Sequence, residues 1–188
     1  MTEPSYFEDM YAAAPDPWHL AERRYEARKY VLTIDSLPRA RYRRAFEPGC
    51  SIGLLTSAIA ARCDFVLATD AVDTALDEAR TRNRGPHVEL RVGRVPQDWP
   101  DGTFDLIVVS ELMYFLSMDD RHEVIRRSVN SLDADGHIVM VHWRHPFDVA
   151  TCTGDDVHAE MTAFSTLERL VRHEERDFLL EVFGHAGS

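Results

Sequence analysis

Residues 45 to 53 read Ala-Phe-Glu-Pro-Gly-Cys-Ser-Ile-Gly, and few architectures accommodate such a segment. An apolar strand ends on an acid, small residues make a turn, and a helix begins. This is the junction at which an open α/β sheet receives its ligand. Gly49 lets the chain turn sharply, and Ser51 is small enough for a ligand to approach the backbone. Gly53 opens a helix whose free N–H groups and dipole favour negative or polar groups.

The rest of the chain alternates to match. A helix is expected over 18–35, started by Asp16-Pro17 and closed before Pro38. Its apolar stripe would be Leu20, Ala27, Val31 and Ile34, with the charged Arg24 among them. Strand 42–47 and helix 53–62 follow, then strand 65–69 and a helix over 72–82 with Val72, Ala75, Leu76 and Ala79 inward. Asn83-Arg84-Gly85-Pro86 breaks that helix. Further strands are expected over 87–92, 104–109 and 137–141, with a helix over 119–132, a turn over 133–136 and a short helix over 155–164. Segments 167–173 and 178–183 read as an antiparallel hairpin. Such alternation predicts a doubly wound, Rossmann-like α/β fold: a mostly parallel sheet of about seven strands with an antiparallel end and an N-terminal capping helix.

With 188 residues, one domain is expected over 1–188, residues 1–38 as an N-terminal cap and 40–183 as sheet and helices. A hydrophobic share of 45% and a charged share of 28% are globular values, which exclude a disordered chain or a coiled coil. No apolar run reaches the roughly 18 residues that cross a bilayer, so no membrane role is expected. The acidic start, with Glu3, Glu8 and Asp9, does not read as a signal peptide. Cys50, Cys63 and Cys152 are odd in number and lack metal-ligand spacing, so we expect a reduced, cytoplasmic protein without a metal. The net charge of −11 argues against a nucleic-acid partner, which needs a basic stripe. The basic cluster from Arg39 to Arg44 sits just before a buried strand and reads as a solvated rim.

Asp70 ends the second strand, seventeen residues beyond Gly53. A carboxylate there can accept hydrogen bonds from both hydroxyls of a ribose, and it can also cap the helix after it. The dinucleotide fingerprint needs G-x-G-x-x-G, and this chain has Ser51 and Leu54 at two of the glycine positions. Glu47 would also repel a pyrophosphate. It suits an adenosine cofactor that carries a cationic α-amino group.

Glu47-x-Gly49-x-Ser51-x-Gly53 resembles the first motif of class I S-adenosylmethionine-dependent methyltransferases, whose usual form has Gly in place of Ser51. That resemblance implies S-adenosylmethionine as cofactor and S-adenosylhomocysteine as product. Glu47 and Gly49 would face the methionine part and Asp70 the ribose. The segment of Arg94 and Val95 would border adenine, with Arg94 where the family often has an acid. Phe104 to Glu111 is similar to the fourth motif, which would point Ser110 and Glu111 into the cleft. The flanks (Asp16-Pro17-Trp18, Tyr25 to Tyr30, Arg41 to Gly53, Phe104 to Leu116, and His142-Trp143-Arg144-His145-Pro146) resemble the nodulation protein S family. These are N-methyltransferases acting on the free amine of a deacetylated chitooligosaccharide. Methyltransferases with other small amine or hydroxyl acceptors share the flanks.

An amine must reach the methyl as the neutral base, so an acid or imidazole beside it can take a proton and orient the lone pair. Glu111 and His142, at the ends of the fourth and fifth strands, are the first candidates, followed by His145 and Tyr114. His142 also reads as a hydrogen-bonded core histidine. Trp18, Tyr25 and Trp143 would give apolar or stacking surface to the cofactor or a sugar. Arg24 reads either as partner of the cofactor's carboxylate or as a buried structural arginine. The oligomeric state is left open.

Overall fold

A computed structural model describes residues 2 and 4–187. Its strands are β1 (Tyr42–Pro48), β2 (Cys63–Asp70), β3 (Val88–Val92), β4 (Phe104–Ser110), β5 (Leu132–Trp143), β6 (Glu168–Glu174) and β7 (Phe178–Gly184). They form a seven-stranded sheet in the order β3-β2-β1-β4-β5-β7-β6. β1 pairs in parallel with both β2 and β4, so strand order reverses at β1, and β7 runs antiparallel to both neighbours. The reversal leaves a crevice beyond the ends of β1 and β4.

Successive strand residues point to opposite faces, and this sorts the apolar side chains into two cores. Ala45, Leu106 and Val108 face one core with Leu55, Ile59 and Leu76. The last three come from helices α3 (Leu54–Ala60) and α4 (Asp73–Arg82). Phe46, Ile107 and Val109 face the other, with Val124 and Ile125 of α5 (Met118–Asn130) and Val157 and Met161 of α6 (Gly154–Phe164). Asp105 interrupts the apolar run of β4 while fully buried, because its carboxylate accepts the backbone N–H groups of Arg43 and Arg44. Arg39 and Arg43 of the basic cluster pair with Asp105 and Asp135.

Three expectations change. The helix expected from Trp18 begins at Arg24: α2 is Arg24–Asp35. Before it, the Asp16 carboxylate accepts the N–H groups of Leu20 and Ala21, each at 2.9 Å, and His19 is left-handed at φ 55°. The inward face of α2 is also different. Glu26, Lys29 and Thr33 are buried, whereas Val31 is 59% exposed. The turn expected over 133–136 belongs to the long β5, which pairs with β4 through an irregular register. A helix that the sequence pattern did not announce, α1 (Pro4–Ala13), precedes all of these. No helix among the described residues is long and apolar enough to cross a membrane.

Candidate functional site

The crevice at the strand reversal opens into a cavity of about 1040 Å³. One end is built by the turn after β1. Its backbone alternates through left-handed positions, Gly49 at φ 74°, Ser51 at 52° and Gly53 at 74°. A serine thus adopts a conformation that glycine takes more cheaply. Two contacts hold it there: its N–H donates to Asp70 Oδ2 (2.8 Å), and its hydroxyl lies 2.5 Å from the Tyr11 hydroxyl of α1. Asp70 Oδ1 accepts the N–H of Val72 at 3.0 Å. The cap and the ribose readings of Asp70 are therefore compatible, since each oxygen keeps a lone pair for a ligand. Burial raises the Asp70 pKa, against the N–H groups of Val72, Ser51 and Ala71, which lower it.

Glu47 forms the floor at this end and is 2% exposed. It accepts the Thr56 hydroxyl at 2.6 Å. Among the described residues no ion pair reaches it, and burial pushes its carboxyl up to about 8. A buried acid without a cation is costly in its charged form. An amino-bearing ligand would supply that cation.

The other end is built by α2, the end of β4 and the end of β5. Lys29, 2% exposed, places its ammonium 2.7 Å from Glu111 Oε1 and 2.8 Å from Glu26 Oε2. It lies 5.0 Å from the centre of the Tyr25 ring. Burial alone would lower the Lys29 pKa, but the two carboxylates outweigh it and hold it above its ordinary value. Glu111 Oε2 accepts the Trp143 N–H at 2.9 Å and the Tyr114 hydroxyl. Glu111 itself sits at φ 52°, a strained position at the mouth of a site. The Tyr25 hydroxyl is buried without a hydrogen-bond partner among the described residues. Tyr25 and Trp143 meet edge to face at 5.6 Å.

Twelve of the residues singled out from sequence line this cavity: Glu47, Gly49, Ser51, Asp70, Arg94, Val95, Ser110, Glu111, Trp18, Tyr25, Tyr114 and Trp143. Four do not. Arg24 is exposed, and its neighbour Arg23 faces the cavity instead, because α2 starts later and is rotated from the expected stripe. Gly53 serves packing: a Cβ there would come within 2.5 Å of Asn83 and 2.8 Å of Ala79. His142 is wholly buried, its Nε2 accepting the Met113 N–H at 3.4 Å. His145 lies behind Trp143 and pairs with Asp177 at 2.9 Å. Arg94 is ion-paired with Glu8 of α1 at 3.4 Å, while its N–H is taken by Asp98, an acid that also lines the cavity. Sequence reasoning missed Glu26, Lys29 and Tyr11. The available signal was the polar spacing Glu26, Lys29, Thr33, one turn apart on α2.

The family model described as Nodulation protein S (NodS) matches residues 8–178 of the chain. The nodulation protein S of Rhizobium tropici is 32% identical over 131 residues, which is 68% of this chain and 55% of that protein. Across three such relatives the chain spans 55% to 63% of their length. A solved structure from Pseudomonas syringae is 41% identical, with a TM-score of 0.76, over 86% of this chain and 99% of that one. The fold is shared with the N-methyltransferase NodS of Bradyrhizobium japonicum WM9, solved with S-adenosylhomocysteine: TM-score 0.85, 24% identity, 97% of this chain and 98% of that one.

Proposed function

The chain belongs to the nodulation protein S family, and on that premise we propose that it is an S-adenosylmethionine-dependent N-methyltransferase acting on the free amine of a deacetylated chitooligosaccharide. The observation that carries the cofactor reading is Glu47, a buried carboxyl lining the cavity with no cation beside it among the described residues. That is the complement of a methionine α-ammonium. Asp70 faces the cavity with lone pairs free for ribose hydroxyls, and Val95, which also lines the cavity, suits the adenine side. Arg94 does not act as the family's usual acid; Asp98 supplies a carboxylate at that rim.

When bound, S-adenosylmethionine supplies an electrophilic methyl on a sulfonium, whose leaving group is already good. The protein's work is then alignment and exclusion of water. Tyr11, Trp18 and Phe7 form an aromatic lid over the turn, with Tyr11 and Trp18 in edge-to-face contact at 5.3 Å. Glu111 Oε2 is filled by the Trp143 N–H and the Tyr114 hydroxyl, whereas Oε1 meets only Lys29 and keeps a lone pair that can accept an N–H of the acceptor and orient the amine. Tyr25 lines the same end of the cavity, its hydroxyl buried behind the ring. Trp143 and Tyr25 offer the ring faces that a sugar packs on.

Labelled S-adenosylmethionine mixed with a deacetylated chitooligosaccharide, beside its fully acetylated twin, tests the proposal. Transfer to the free amine alone is expected. Transfer to neither, with S-adenosylhomocysteine still bound, would remove the acceptor and leave the cofactor; a small amine or hydroxyl metabolite would then take its place. Asp70→Ala should weaken S-adenosylhomocysteine binding without unfolding the protein.

A further inference from the structure

Behind the cavity a line of buried polar side chains crosses the second core. His142 on β5 is 0% exposed, His158 on α6 is 2% and Glu181 on β7 is 1%. His142 Nδ1 lies 3.2 Å from His158 Nε2, and His158 Nδ1 lies 2.8 Å from Glu181 Oε2. The other oxygen, Oε1, accepts Arg169 at 3.0 Å and Arg172 at 3.1 Å, both on β6.

Hydrogen-bond polarity along this line is fixed from its inner end. A backbone N–H can only donate, so His142 Nε2, facing the Met113 N–H, must hold a lone pair. A neutral His142 then carries its proton on Nδ1 and donates it to His158 Nε2. His158 in turn carries its proton on Nδ1 and donates to the Glu181 carboxylate. Burial, then the neighbouring His158 and Lys29, holds the His142 pKa well below the imidazole range, in keeping with the neutral form. Burial would raise Glu181, but His158 and the two arginines outweigh it and hold it low.

Met113 begins a single 3-10 turn, Met113–Phe115, that carries Tyr114. The Tyr114 ring meets His142 edge to face at 5.4 Å, and its hydroxyl donates to Glu111. We propose that His142, His158 and Glu181 are positioning residues: one polarised chain fixes the turn at Met113, and through Tyr114 the carboxylate of Glu111. The functional part of this rests on the methyltransferase reading. The tautomers do not.

Removing the outer acceptor should be felt at the inner end. In Glu181→Leu, His158 loses the partner of its Nδ1 proton. Moving that proton to Nε2 sets it against His142 Nδ1–H, and the relief is to turn Nε2–H of His142 toward the Met113 N–H. The expected result is a fall in kcat of about tenfold with the cofactor KM unchanged, since misplacement from afar acts on alignment. Glu181→Gln can still accept from His158 if its amide NH2 takes the other side and Arg169 and Arg172, both partly exposed, turn to solvent, so it should recover part of that loss. Nitrogen-15 NMR of the wild-type imidazoles should show His142 Nε2 and His158 Nε2 unprotonated and both Nδ1 protonated. A protonated His142 Nε2 in the wild type, or a folded Glu181→Leu protein with unchanged kcat, would overturn the proposal. Should Glu181→Leu not fold, the wild-type spectrum and Glu181→Gln still decide. Absence of methyl transfer in the wild type with the expected spectrum would count against the reaction and leave the polarised chain standing.

Discussion

Two acids stand at the ends of neighbouring strands of the same crevice, and their surroundings are opposite. Glu47, next to last in β1, is buried with one hydroxyl for company. Glu111, just after β4, meets the Lys29 ammonium at 2.7 Å, a backbone N–H at 2.9 Å and the Tyr114 hydroxyl. A carboxyl left unpaired keeps its proton until a cation arrives, whereas a paired one has its charge balanced before any ligand binds. The cavity therefore has one end that waits for a charge and one end that brings its own. Ligand binding should be coupled to protons at the first end, and fold stability to ion pairing at the second.

The comparison breaks most readily on stability. Lys29→Met leaves the buried Glu26 and the partly buried Glu111 around a missing cation and should lower unfolding free energy by about 3 kcal/mol in urea titrations. Glu47→Gln should do the reverse. The folded-state pKa of Glu47, about 8, lies above its ordinary 4.5. Between those values the folded protein holds a proton that the unfolded chain releases, so stability falls as pH rises and levels off above 8. Wild type should show that slope, at most about 5 kcal/mol in total. The glutamine variant should lose it and be the more stable protein at pH 8. Equal slopes in the two proteins would end the distinction between the acids.

Binding sharpens it next. An α-ammonium settling beside Glu47 drives off the carboxyl proton, so S-adenosylhomocysteine should bind more tightly as pH rises toward 8. Calorimetry in buffers of different ionisation heat should register the released proton. Glu47→Gln should bind about 30-fold more weakly, the worth of about 2 kcal/mol in a charged hydrogen bond, and without the pH slope.

The turn between the two acids gives a smaller effect. Ser51→Ala keeps the strained φ of 52° and loses the contact to Tyr11, which should cost about 1 kcal/mol in denaturant midpoint. Ser51→Gly loses the same contact but relaxes the backbone, so it should stay within about 0.5 kcal/mol of wild type.

These differences also mark what was legible in the sequence. The turn end is written in local grammar: Gly49, Ser51 and Gly53 announce backbone geometry, and Asp70 ends a strand whose register is set by β1. Most sheet elements and both hairpin strands follow from alternation alone. The other end depends on contacts between residues far apart, such as Lys29 with Glu111 and His142 with His158. No spacing rule brings those together. The apolar stripe assigned to α2 failed for the same reason: the polar face of that helix turns inward because Glu111 awaits it across the cavity, a fact no window of α2 contains. From sequence, Gly53 reads as cofactor-binding and His142 as a catalytic candidate or a core histidine; the structure gives Gly53 a packing constraint against Asn83 and Ala79 and His142 a buried, hydrogen-bonded place.

The smallest effect tests the rotation of α2 directly. With Arg24 exposed and outside the cavity, Arg24→Ala should alter stability by less than about 0.5 kcal/mol and leave S-adenosylhomocysteine affinity unchanged. Arg23 faces the cavity from an exposed position, so any pairing with a ligand carboxylate there is screened by water and salt. Arg23→Ala should weaken S-adenosylhomocysteine binding by about threefold at low ionic strength, and less at high salt. If Arg24→Ala gave the larger loss, α2 would begin earlier and turn differently in the liganded protein. Lys29 would then no longer sit between its two acids, and the contrast between Glu47 and Glu111 would hold only for the ligand-free state.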